Sequence, residues 1–99
     1  MINTTIENGV ITVKCEGRIE GEILNSIDAA TYLAVGTNGL VLDFAGVGAI
    51  SLEGMSLLLL IKKRMAAHGG LTIKNVNEKV FDSLENEGIT NLVTVIKSK

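Results

Sequence analysis

Asp43-Phe-Ala-Gly-Val-Gly-Ala-Ile-Ser-Leu-Glu-Gly54 separates two apolar segments of different period. Before it, Leu40-Val41-Leu42 is a continuous apolar run, the pattern of a central strand buried on both faces. Asp43 closes that strand and is placed to hydrogen-bond the turn that follows. Gly46 and Gly48 read as a flexible turn. After the segment, Leu57, Leu58, Ile61 and Met65 share one arc of a helical wheel at about 100° per residue. The spacing predicts a helix from Ser51 to Ala67, with Ser51 capping the free N–H groups and Glu53 near the positive helix end. Lys62, Lys63, Arg64 and His68 lie toward the negative end, and Gly69-Gly70 stops the helix.

Toward the N-terminus, Asn8-Gly9 sits between Thr4–Glu7 and Val10–Glu16 and reads as a tight hairpin turn. Ile11, Val13 and Cys15 point to one side of the second strand, Thr12, Lys14 and Glu16 to the other. Cys15 is therefore a small core residue rather than a reactive thiol. From Glu22 to Val35 the period is helical: Ile23, Ile27, Ala30 and Ala34 share a face, flanked by Leu24 and Thr31, and Gly36 ends the helix. Toward the C-terminus come a strand at Leu71–Lys74, a helix capped by Asn77 and stapled by Val76 on Phe81, a stop at Gly88 and a strand at Leu92–Ile96. The order is β-β-α-β-α-β-α-β. Helices between successive strands imply parallel neighbours joined by right-handed crossovers, and the hairpin adds an antiparallel strand. The expected fold class is α/β, one domain over residues 1–99 with a mixed β-sheet packed against helices.

The composition narrows the function. Nine basic and 11 acidic residues give a net charge of −2, which argues against a nucleic-acid binder that needs a basic face for phosphates. The aromatics are Tyr32, Phe44 and Phe81, too few for base-stacking platforms. With Cys15 alone there is no disulfide framework and no cysteine metal cluster, and a reducing, cytoplasmic location is the expectation. The first residues show no basic segment followed by an apolar run, so no signal peptide is expected. The longest apolar run, Leu57 to Ile61, is too short for direct membrane insertion, which takes roughly 20 residues. One His and one Cys leave no nucleophile–base arrangement, and Gly46, Gly48 and Gly54 lack the Lys and Ser/Thr of a phosphate loop. Asp43 and Glu53 have no substrate pocket suggested around them. No catalytic residue, metal ligand or cofactor is expected, and the chain is read as a binding module rather than an enzyme.

The Asp43-to-Gly54 interval, the apolar helix after it and His68-Gly-Gly-Leu resemble the STAS domain, the family of sulfate transporters and anti-sigma factor antagonists. Its pattern is a strand ending in Asp, an apolar loop, then Asp-Ser-x-Gly opening a helix that ends in a glycine pair. Glu16-Gly-Arg-Ile-Glu is similar to the family's Gly-x-Leu-Asp turn, and Leu71-Thr-Ile-Lys-Asn-Val and Leu84–Leu92 to its later strand and helix. The resemblance implies an anti-sigma factor antagonist that docks an anti-sigma factor of the serine-kinase type through the Ser51 loop and the second helix. In the family that kinase phosphorylates the Ser of Asp-Ser-x-Gly. Carried over, the Asp position is Ser51 and the phosphoacceptor position is Leu52, which has no hydroxyl and is not phosphorylatable. Two substitutes stay open: a shifted acceptor at Ser51, which otherwise serves as a helix cap, and Glu53 as a partial mimic of phosphate.

On the wheel of the second helix Leu59 and Leu60 fall outside the core arc, among Leu52, Ser56 and Lys63. Either neighbouring helices bury them, or these five residues form a contact patch that joins Ser51, Glu53 and Gly54 as a partner-binding surface. A second class of function fits the same residues: a non-phosphorylated structural STAS subunit of a signalling scaffold or transporter complex, meeting another STAS-interacting protein. A homo-dimer is compatible with both.

Overall fold

Asn8 and Gly9 both adopt positive φ, 54° and 80°, the pair of left-handed conformations that matches a two-residue turn to strand twist. In the computed structural model, which describes residues 2–99, this turn joins β1 (Ile2–Glu7) to β2 (Val10–Ile19), with Glu7 opposite Val10. The chain continues through α1 (Ile23–Tyr32), β3 (Gly39–Ile50), α2 (Leu52–Met65), β4 (Leu71–Val76) and α3 (Glu78–Asn86). A 3-10 turn (Ile89–Asn91) then leads into β5 (Thr94–Lys97). The element order is the one expected from the sequence.

The five strands lie side by side in chain order, β1 antiparallel to β2 and every other neighbour parallel. Each crossover steps the same way across the sheet, so right-handedness gathers the helices over one face. Ile11, Val13, Leu40, Leu42, Phe44 and Ile73 are buried in the core on that side. Val41 corrects the expectation of a strand buried on both faces, since it is only half-buried. It lies on the uncovered side with Lys14, Asp43 and Lys74, which align across β2, β3 and β4.

Nor does β3 end at Asp43. It runs on to Ile50 because β2 runs on beside it, with Glu16 opposite Gly46 and Ile19 opposite Ile50, and bulges absorb the register shifts. Gly46 is therefore part of a strand, at a point where a Cβ would come within 2.9 Å of the Glu16 side chain. The last strand begins at Thr94 rather than Leu92 because the N–H groups of Leu92 and Val93 both turn back to the Ile89 carbonyl at 2.9 Å.

A polar clasp joins α1 to α2. Arg64 Nη1 donates to Thr31 Oγ1 at 2.9 Å, Nη2 lies 2.9 Å from Asp28 Oδ1, and the guanidinium sits 3.8 Å over the Tyr32 ring. Asp28 Oδ1 has no aligned hydrogen bond, so its attraction to Arg64 is one of charge. Periodicity places Arg64 at the end of α2; the fold turns it sideways onto α1. Arg64→Ala should lower the unfolding free energy by about 1–3 kcal/mol in urea titration, from lost hydrogen bonding and ring stacking. Arg64→Lys should recover only part, because an ammonium lacks the planar fork.

On the open face, Asp43 Oδ1 accepts from the Ala45 N–H and from Asn75 Nδ2, each at 3.0 Å. Partial burial opposes ionisation, but these two hydrogen bonds and the charges of Lys74 and Lys14 outweigh it and hold the carboxyl below its ordinary value of 3.8. A depressed carboxylate contributes stability that is present above the unfolded value and lost as pH falls through the folded one. Between about pH 5 and pH 2 the unfolding free energy should therefore fall less steeply in Asp43→Asn than in the native chain, as urea titrations at successive pH values would show.

Candidate functional site at the start of the second helix

The site grows from one carbonyl. The oxygen of Ile19, at the end of β2, accepts from the Ser51 N–H at 3.0 Å and from the Ser51 hydroxyl at 3.2 Å. Ser51 Oγ in turn accepts from the Gly54 N–H at 3.0 Å, the N-cap bond that opens α2. Both hydrogen-bonding roles of that hydroxyl are thus taken up by the scaffold. Gly54 is pressed against the same place: a Cβ there would stand 2.9 Å from the Ile19 oxygen and 2.9 Å from Ile50 Cγ1. Ser51 and Gly54 are the joint between helix and sheet.

Between them, Leu52 and Glu53 face outward. Leu52 is the first residue of α2 and 66% exposed. Its side chain, with Met55, Ser56 and Leu59, forms one wall of an open groove of about 250 Å³, and Glu87 and Ile89 form the other. Leu60, 57% exposed, and Lys63 are on the solvent side of α2 and do not line the groove. The predicted surface therefore divides in three: Ser51 and Gly54 in the joint, Leu52, Ser56 and Leu59 on the groove, and Glu53, Leu60 and Lys63 exposed beside it. Leu59 is partly buried against the core, so one of the two leucines outside the core arc packs inward and the other does not.

Met55, Glu87 and Ile89 belong to the site without a signal of their own in the sequence. Met55 is one turn from Leu52, but Glu87 and Ile89 reach the groove only because α3 ends and the 3-10 turn folds back beside α2. At the other end of α2, His68 Nδ1 accepts the Gly36 N–H at 3.2 Å, tying the helix end to the α1–β3 connection. Burial, and then the nearby Asp43 charge, push the Cys15 thiol up to about 12. Among the described residues there is no cluster of three or more His, Cys, Asp or Glu suited to a metal ion, and no helix long and apolar enough to cross a membrane.

The STAS domain family model matches residues 1–99. No curated protein sequence matches the chain. Among solved structures, an anti-sigma factor antagonist from Mycobacterium paratuberculosis superposes with a TM-score of 0.86 at 15% identity, over 97% of this chain and 84% of that one. The unphosphorylated anti-sigma factor antagonist SpoIIAA, described as a Bacillus cell fate determinant, gives a TM-score of 0.80 at 12% identity over 96% and 87%. A sulfate transporter family protein from Wolinella succinogenes gives 0.65 at 17% identity over 93% and 80%. At these identities the likeness is one of fold.

The joint predicts its own fragility. Gly54→Ala should destabilise the chain by about 1–3 kcal/mol, because the new methyl meets backbone and must push α2 off β2. Ser51→Ala should lose about 1 kcal/mol through the missing cap. Urea titration of both variants checks these values.

Proposed function

The chain belongs to the STAS domain family, and from that premise we propose that it is an anti-sigma factor antagonist-like regulator docking its partner without a phosphorylation switch at Leu52. The observation that carries the reading is the exposed Leu52 at the lip of an open groove of mixed polar and apolar lining, at the position the family resemblance assigns to the phosphoacceptor. Burying a leucine side chain contributes about 1.5–3 kcal/mol before association costs are met, so Leu52 and Leu60 together support a useful affinity. The partner is an anti-sigma factor of the serine-kinase type.

Two substitutes for the missing hydroxyl fare poorly on physical grounds. Phosphorylating Ser51 would break the cap and its bond to Ile19. Glu53 carries one charge and two oxygens, whereas a phosphoserine brings roughly −1.5 to −2 charges and three strong acceptors. Docking is accordingly set by the amount of partner and not by ATP. The second reading, a structural subunit of a scaffold or transporter, draws support from the shared fold of the Wolinella protein and uses the same face toward a different neighbour.

Calorimetry with the anti-sigma kinase of the same organism tests the reading. Leu52→Asp and Leu60→Asp should keep the native circular dichroism and raise Kd roughly tenfold to a hundredfold each. Intact mass after incubation with kinase and ATP should show no phosphate on the native chain and one on Leu52→Ser. Phosphate mapped to Ser51 would overturn the switch-free reading; absence of binding by native chain and variants alike would leave the structural subunit in its place.

A further inference from the structure

The two edges of the sheet are unlike. β5 is four residues long, and its Lys97 lies 3.4 Å from Glu78 and 4.4 Å over the Phe81 ring; shortness and an edge lysine both discourage pairing with another chain. β1 carries no such device. Its six residues, Ile2–Glu7, pair with β2 without a bulge, hold no Pro, Lys or Arg, and have Glu7 at the end as their single charge. The edge carries an exposed apolar side chain, Ile6 at 67%. Ile6 is opposite buried Ile11 and so lies on the helix side of the sheet. Leu33, 66% exposed, follows α1, and the connection from α1 to β3 is tied to the hairpin by the Asn38 N–H bonding the Gly9 carbonyl at 2.8 Å.

We propose that the β1 edge is a dimer interface on which a second copy of this chain lays its own β1 antiparallel. The hairpin selects the register. A two-residue turn makes Glu7–Val10 a hydrogen-bonded pair, and the alternation of an antiparallel ladder then aims the backbone groups of Ile2, Thr4 and Ile6 away from β2. Those groups must meet their own kind across the new junction. Thr4 opposite Thr4 of the partner subunit satisfies this, and it sets Ile2 opposite Ile6 of the partner subunit on the helix side. Apolar and Thr–Thr cross-strand pairs are stabilising.

Charge agrees with the antiparallel choice. In that register the two Glu7 side chains stand about 20 Å apart at roughly 3.4 Å per residue, whereas a parallel arrangement in register would set them side by side. The two sheets become one continuous sheet, with both helix layers on the same face. The groove on α2 lies beyond α1 and stays open, so dimerisation and partner docking are separate events.

Sedimentation velocity from micromolar to near-millimolar concentration tests the proposal on three full chains: native, Ile6→Lys and Thr4→Pro. Thr4→Pro removes an N–H that points away from β2, and Ile6→Lys places a charge on an exposed position, so the second variant keeps the test intact should the first lose its fold. The native chain is expected to rise to twice its monomer mass while the folded variants remain at monomer mass. A native chain that stays monomeric throughout, or a dimer that survives Ile6→Lys, overturns the proposal.

Discussion

The carbonyl of Ile19 determines where the second helix begins, and the exposed surface depends on that point. A strand's last carbonyl normally turns to water or to a neighbouring strand; here it receives both donors of Ser51. With the helix start pinned, the 3.6-residue period decides the rest. Met55, Leu58, Ile61 and Met65 go into the core, and Leu52 is left at the rim. Gly54 permits this closeness because its missing side chain would have occupied the space of Ile19 and Ile50.

The arrangement separates what is rigid from what is offered. Ser51 and Gly54 are consumed in holding α2 on the sheet, while Leu52 and Glu53 between them make no contact that the fold requires. A residue in that position can change its chemistry without disturbing the helix start. Leucine there leaves an apolar side chain exposed at the rim. One groove wall is α2 and the other is the turn that follows α3, which buried Ile89 anchors to the core.

Much of this was legible in the residue order, and the reasons differ from place to place. Asn8-Gly9, Ser51 and Asn77 act on their own neighbours in the chain, so turn and cap chemistry could be read locally; Ser51 and Asn77 each accept the N–H three residues on. Alternation along β2 gave the inward set Ile11, Val13 and Cys15. Val41 was misread because its apolar character is local, whereas its exposure follows from the helices all lying on one side. Gly46 looked like a turn because the pairing that keeps it in a strand comes from Glu16, thirty residues away. Arg64, His68, Glu87 and Ile89 share that difficulty. Their partners are Asp28 and Thr31, Gly36, and the first turns of α2, and no period along one helix points to them. The positions of Leu52, Leu59 and Leu60 outside the core arc were visible on the wheel, but only the packing separates Leu59, tucked partly inward, from its exposed neighbours.

The most direct measurement is a chemical-shift map of the isotopically labelled native chain with the anti-sigma kinase, recorded with and without ATP. Perturbations should centre on Leu52, Ser56, Leu60 and the Glu87–Ile89 rim, and remain unchanged when ATP is added. Perturbations confined to other surfaces, or a complex that dissociates with ATP, would contradict a docking face on α2 that works without a switch.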